Sequence, residues 1–255
     1  MRFLAIIQAR CGSTRLKNKV LLPLNGKPSL QHVIERVQKS RYIDDIIVAT
    51  SIAKNNIPII KLCAELGIRV FIGSENDVLD RYYQAAKLLT PEYVIRITGD
   101  CPLIDPQIID GAIDQLSPET DYLGMLSETF ADGLDVEVFK FSTLKRAWKE
   151  ASFMSQREHV TQYIIKNPSI FRLQDYTSGI EGFGKKRWTV DEAEDYVFAK
   201  KIYEHFGDYD FSYLDVLDYL KQEPSLEDIN SQYLRNEGLA FSLANDSRVN
   251  LPEEG

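Results

Sequence analysis

From Arg2 to Leu103, short runs rich in β-branched and aromatic residues alternate with stretches of helical period, and that alternation leaves few folds open. Strands are predicted at Phe3–Ile7, Ile46–Thr50, Arg69–Ile72 and Tyr93–Thr98, with helices near Leu30–Gln38, Asn56–Leu66 and Val78–Leu89 between them. Each helix has one apolar stripe, so parallel βαβ units packed on a common sheet are the natural arrangement. Asp77 is a good N-cap for the third helix, and Thr90-Pro91 ends it.

After Pro106 a helix is predicted to Leu116, and then the texture changes. Tyr122–Leu126 and Leu134–Lys140 read as strands about a polar turn at Ala131-Asp132-Gly133, which predicts a small mixed extension of the sheet. Helices over Ser142–Ala151 and Gln156–Lys166, a strand at Phe171–Asp175, a glycine-rich loop at Gly179–Gly184, a short strand at Arg187–Val190 and a helix from Glu192 to Phe206 follow. Two further helices fall between Phe211 and Leu239. The loop's glycines lack the spacing of a dinucleotide fingerprint, so a mobile lid and a plain connector are equal readings. Asn245–Gly255 is polar and is predicted to fray. The fold class is α/β: a mostly parallel central sheet flanked by helices. Residues 1–240 form one domain, with a first half to about 115, a second half from about 116, and a flexible tail at 241–255.

The first strand runs straight into Gln8-Ala9-Arg10-Cys11-Gly12-Ser13-Thr14-Arg15-Leu16-Lys17-Asn18-Lys19, a loop with one glycine, two hydroxyls and four cations. Gly12 lets backbone N–H groups approach an anion, Ser13 and Thr14 donate hydroxyls, and Arg10, Arg15 and Lys19 supply charge. Such a loop at the carboxyl end of the first strand suits a polyphosphate. A solvated basic loop is the bland alternative.

The wider composition narrows the partners. Acidic residues outnumber basic ones 38 to 30, a net charge of −8, which repels nucleic acid unless a basic face is segregated, and no such face is visible. Among the 255 residues no apolar run is long enough to span a bilayer, and a core strand begins almost at the first residue, which predicts a cytoplasmic protein with no membrane partner. Cys11, Cys63 and Cys101 are odd in number and widely spaced, so free thiols in packing roles are expected.

Five blocks in order carry a resemblance: the first loop, Arg96-Ile97-Thr98-Gly99-Asp100-Cys101-Pro102-Leu103-Ile104-Asp105, Asp132-Gly133-Leu134-Asp135-Val136-Glu137-Val138-Phe139, Arg157-Glu158-His159-Val160-Thr161, and Trp188-Thr189-Val190-Asp191-Glu192-Ala193-Glu194-Asp195. Together they resemble the nucleotidyltransferases of the CMP-sugar synthetase type, and most closely the SpsF-like subgroup of spore-coat polysaccharide biosynthesis proteins. The chain departs from that pattern at Lys17-Asn18, where the family often has Pro-Gly. The resemblance implies a Rossmann-like nucleotide-diphospho-sugar transferase fold and transfer of a cytidylyl group from CTP to a sugar acid or related surface-polysaccharide precursor.

Asp100 closes the fourth strand at the sheet edge that holds the first loop, and a carboxylate facing phosphates there calls for Mg²⁺; a turn or cap role is the alternative. The resemblance implies Asp191 as a second metal ligand, where the residues alone fit an N-cap equally well. Gln8, Ala9, Arg10, Gly12, Ser13, Thr14, Arg15, Lys19, Thr98 and Asp100 make up the candidate nucleotide site. Arg81 and Arg96 are counted with that site: both lie in apolar surroundings and need an anion, which is either the nucleotide or acceptor or an internal carboxylate. Asp135 and Glu137 are two apart on the predicted strand and so share a face; with Glu158 and His159 they are the candidate acceptor site implied by the resemblance, against a solvated strand face and a structural histidine. A homodimer is left open. A nucleotide-sugar glycosyltransferase and a non-catalytic nucleotide-binding subunit are the rival functions.

Overall fold

The computed structural model describes residues 2–207, 209–249 and 251. Its elements run β1 (Phe3–Gln8), the hairpin strands β2 (Pro23–Leu24) and β3 (Lys27–Pro28), α1 (Ser29–Val37), β4 (Asp45–Ser51), α2 (Ile57–Glu65), β5 (Arg69–Gly73), α3 (Val78–Lys87), β6 (Tyr93–Thr98) and α4 (Pro106–Gln115). The second half continues with β7 (Tyr122–Gly124), β8 (Glu137–Lys140), α5 (Phe141–Glu150), α6 (Met154–Glu158), α7 (Gln162–Ile165), β9 (Leu173–Asp175), α8 (Ala193–Phe206), α9 (Tyr213–Gln222) and α10 (Glu237–Ala244).

Seven strands form one sheet in the order β5-β4-β1-β6-β8-β7-β9. The first four are mutually parallel, β8 is antiparallel to both β6 and β7, and β9 is parallel to β7. Strand alternation sends Phe3, Ala5 and Ile7 to one face, where they meet the apolar stripes of α1, α2, α4, α8 and α9. Leu4 and Ile6 point to the other face, against α3, α5 and α7. Two helical layers therefore cover the sheet, and the carboxyl ends of β1, β4 and β6 open at one edge, where α/β sheets carry ligands.

Several elements differ from the sequence expectation. The strand predicted at Leu134–Lys140 begins only at Glu137, and Arg187–Val190 contributes a single bridge, Asp132 to Arg187. The cause is a close crossing: Gly133 has a φ of 102°, and a Cβ there would lie 2.7 Å from the Trp188 carbonyl carbon, so the two segments pack too tightly for a ladder. The helix predicted over Gln156–Lys166 breaks into α6 and α7 at Val160, which takes a φ of 55°. The glycine-rich loop behaves as a connector. Phe183 is fully buried against Phe130, Trp188 and Tyr213, which anchors it. Of the tail expected to fray, residues 245–249 are tied down, with the Met154 N–H donating to Ser247 O at 2.8 Å and the Val249 N–H to Ser152 O at 2.9 Å; residues 250 and 252–255 lie outside the described residues.

Candidate active site

The Gly99 N–H donates to Gln8 O at 2.8 Å, and a Cβ on Gly99 would lie 2.9 Å from the Ala9 Cβ, so only glycine lets the ends of β1 and β6 meet this closely. That contact sets the first loop beside Asp100. The loop turns back at Asn18, whose φ of 55° is left-handed; asparagine tolerates the conformation best after glycine, which accounts for it where the family often has Gly. Gly12 is not so constrained, since a Cβ there would make ordinary contact at 3.4 Å with Glu75.

Lys19 follows in a single 3₁₀ turn, and its ammonium is held between Asp100 and Asp191. Burial opposes its charge, but the two carboxylates outweigh burial and raise its pKa. Asp100 shows the converse: burial resists ionisation, and Lys19 overcomes it and keeps the carboxyl below its usual value. Asp191 is not the helix cap. The peptide N–H groups of Asp191 and Glu192 both donate to Asp195 Oδ2 at 3.0 Å, which satisfies the start of α8 and leaves the Asp191 carboxylate facing the loop. Arg15 reaches Asp191 and Glu192 at 3.1 Å and Glu237 at 3.9 Å.

Two carboxylates converging on one cation are a donor set that Mg²⁺ can use when phosphate oxygens and water complete its shell. Among the described residues no group of three or more His, Cys, Asp or Glu side chains gathers as a metal cage.

Beside the loop, Gln8 Oε1, Arg81 Nε and Arg96 Nε are buried without a hydrogen-bond partner. Arg81 donates only to the carbonyls of Ser74, at 2.8 Å, and Glu75, at 3.4 Å; among the described residues no carboxylate lies within ion-pair distance of it. Arg96 resolves the other way. It pairs with Glu137, its register partner on β8, and Glu137 also accepts from Tyr122 Oη at 2.5 Å and Thr161 Oγ1 at 2.6 Å. Burial alone would raise the Glu137 pKa; Arg96 and the two hydroxyls lower it. Asp135 and Glu137 both line the same cavity, although Asp135 precedes β8 and the Glu137 carboxylate is engaged by Arg96, Tyr122 and Thr161.

Asp135 accepts from the Gly133 N–H at 3.1 Å and pairs with Arg235. Glu158 accepts from Ser242 Oγ at 2.8 Å, and His159 Nε2 lies 3.0 Å from the same hydroxyl. Burial lowers the His159 pKa, so the ring is neutral at pH 7 and is a hydrogen-bonding group rather than a cation. All three cysteines are free and buried, as their spacing suggested, and Cys101 contacts Thr98 Oγ1 at 2.9 Å.

One cavity of about 770 Å³ is lined by every residue the sequence nominated, from Gln8 and the loop to Asp135, Glu158, His159 and Asp191. Sequence reasoning missed three of its walls. Arg187 donates to Asp195 at 2.9 Å and to Asp132 at 3.0 Å; Asp132, first burial and then the like charge of Asp135, is pushed up to about 7. Arg235 enters from the C-terminal segment. Arg187 opens the Trp188–Asp195 block and Asp132 opens its own, so a cation and a carboxylate beside the matched motifs were the available signal; Arg235 had none.

A profile of the cytidylyltransferase family matches residues 4–229. An uncharacterized protein of Methanocaldococcus jannaschii is 42% identical over 234 residues, covering 91% of this chain and 95% of that one. The spore coat polysaccharide biosynthesis protein SpsF of Bacillus subtilis is 33% identical over 236 residues, covering 87% of this chain and 95% of its own. A solved cytidylyltransferase from Leptospira borgpetersenii, 32% identical, superposes with a TM-score of 0.86 over 92% of this chain and 100% of that chain. With a cation-rich loop and two carboxylates meeting at the carboxyl edge of a mostly parallel sheet, and with these matches spanning nearly the whole length, the chain belongs to the cytidylyltransferase family as an SpsF-like, CTP-dependent nucleotidyltransferase.

Proposed function

We propose that the enzyme joins CMP from CTP to a hydroxyl of a sugar acid or a related surface-polysaccharide precursor and releases pyrophosphate. The acceptor oxygen attacks the α-phosphorus, and the bond from that phosphorus to the pyrophosphate oxygen breaks. The observation that supports this most is Lys19 held between Asp100 and Asp191 at the phosphate loop, because it joins a triphosphate-binding cation to a metal-binding carboxylate pair.

In this reading residues up to about 115 serve the nucleotide and those from about 116 to 240 mainly the acceptor, with Asp191 returning to the metal. The loop N–H groups with Ser13, Thr14, Arg10, Arg15 and Lys19 hold the triphosphate, and Gln8 and Arg81 offer their unpaired polar atoms to the nucleotide. Asp100 and Asp191 would hold Mg²⁺, which when bound neutralises charge on the triphosphate and the departing pyrophosphate. Asp135, Glu158 and His159 face the acceptor, while Arg96 and Glu137 act from the floor, keeping β6 and β8 in register. Catalysis is positioning and charge neutralisation in a cavity large enough for nucleotide and a small sugar together. Among the described residues no helix is long and apolar enough to cross a membrane, and the cytoplasm is the compartment that supplies CTP and keeps thiols reduced.

A pyrophosphate-release screen of the four NTPs against sugar acids and phosphorylated polyols, with Mg²⁺ present, tests the proposal. Release with CTP and one class of acceptor is the expected result. Release of a nucleoside mono- or diphosphate from a nucleotide sugar would favour a glycosyltransferase, and CTP binding without turnover on any acceptor would favour a non-catalytic subunit.

A further inference from the structure

The family profile ends at residue 229, but the cavity wall does not. Residues 234–239 run along it from Arg235 beside Asp135 to Glu237, 3.9 Å from Arg15, and α10 lies beside α6. This strap is fastened along its length by polar contacts: Asn236 Nδ2 donates to Glu128 at 2.6 Å, Ser242 Oγ to Glu158 at 2.8 Å, and Asp246 accepts from the Ser155 N–H and Oγ at 2.9 and 2.6 Å. No residue of α10 is buried. A segment that adds nothing to the core and is pinned across a cavity is placed to line it.

Three guanidiniums stand at this end, and they are not equally free. Arg96 is locked to buried Glu137, and Arg187 to Asp195, whose side chain is wholly buried. Pulling either away would leave an unpaired buried carboxylate, a cost of several kcal/mol. Arg235 is different. It donates to Phe130 O at 2.7 Å and pairs with Asp135, whose side chain is 35% exposed, with Glu128 more distant at 3.9 Å. The Arg235 side chain is itself 14% exposed, but solvent reaches Asp135, so the carboxylate left behind would be hydrated and this guanidinium, of the three, is the one able to change partners. Its planar fork suits a carboxylate, and the released Asp135 can accept from a hydroxyl beside that carboxylate.

We propose that Arg235, carried on the C-terminal strap, is a specificity-determining residue that exchanges Asp135 for the carboxylate of the acceptor. The inference rests on the proposed transfer to a sugar acid. Its test is binding to the full chain saturated with a non-hydrolysable CTP analogue, measured by calorimetry for a set of 2-keto-3-deoxy sugar acids and for their methyl esters, which keep shape and hydroxyls but lose the charge. The wild type should prefer an acid over its ester by about tenfold or more, the range of a charge-assisted contact. Arg235→Gln should erase that preference, Arg235→Lys should keep part of it, and both should bind the CTP analogue as the wild type does. A role confined to packing would weaken acid and ester alike and leave their ratio unchanged. An unchanged ratio in Arg235→Gln overturns the inference and leaves the proposed reaction standing. If the CTP-loaded wild type binds neither acid nor ester, the sugar-acid reading fails and the inference fails with it.

Discussion

The two ends of the cavity handle charge in opposite ways. At the nucleotide end, Lys19 and Arg15 are paired with Asp100, Asp191, Glu192 and Glu237, all on or near loops. These are partners that a triphosphate and a divalent ion can each replace with a better one. At the acceptor end, Arg96, Glu137, Tyr122 and Thr161 form a network on three sheet strands and a helix cap, and Arg187 is clamped to Asp195. Those pairs hold the floor in shape. Similar charged groups thus do different work according to what can replace their partners: Lys19, as buried as Arg96, has only two carboxylates that a bound ion could take over, whereas the Arg96 partner Glu137 is also tied to Tyr122 and Thr161.

The comparison is broken most sharply at the carboxylates. Asp100→Asn and Asp191→Asn should each lower kcat by roughly a hundredfold or more, about 3 kcal/mol in the barrier, while the thermal unfolding midpoint moves little. Steady-state kinetics beside calorimetric melting separates the two. A large fall in melting temperature with turnover retained would put Asp191 among the structural charges.

The reverse is expected on the floor. Glu137→Leu leaves the Arg96 guanidinium buried without its carboxylate and Thr161 and Tyr122 without an acceptor, so it should destabilise the fold by about 3 kcal/mol. Urea unfolding reads that loss, and CTP affinity in the folded fraction should stay near the wild-type value. A variant that melts normally but binds CTP poorly would move Glu137 to the nucleotide end.

The smallest effect sharpens the boundary between the two ends. Asp132 is held up at about 7, against an ordinary 3.8, so the folded protein keeps a proton there that the unfolded chain releases. At this site the folded state binds more protons between about pH 4 and 7, so the contribution of Asp132 to stability falls as pH rises through that window. Asp132→Asn should flatten the slope and raise stability at pH 8 by about 1–2 kcal/mol relative to its effect at pH 4, with the Arg187 contact and residual solvent access taking up part of the shift. Denaturation of wild type and variant at several pH values checks it, and a stability difference between the two that does not change from pH 4 to 8 would remove the argument.

How far the sequence could be read follows the same division. The first loop and Asp100 were legible because their chemistry is local: a strand end, a glycine and charges within a few residues of one another. The partner of Glu137 was not legible, because nothing in the chain states that β8 lies antiparallel against β6, which brings Glu137 to Arg96. Val160 gave no sign of a helix break, since a β-branched residue at positive φ goes against local preference and is imposed by packing. Arg235 was invisible for another reason: it lies on a segment with no motif of its own, and its partner Asp135 is 100 residues away.

The contact of Lys19 with Asp191 spans 172 residues, and the crossing at Gly133 that brings Arg187–Asp191 to the sheet spans another long interval. Closing loops of that length comes late, after the local βαβ units have formed. During synthesis the parallel half can therefore form with the first loop and Asp100 in place before Asp191 reaches Lys19. On the proposed reading, a chain held at that point would carry the loop meant for the triphosphate but only one of the two carboxylates meant for Mg²⁺, so binding of a nucleotide would precede the ability to transfer it.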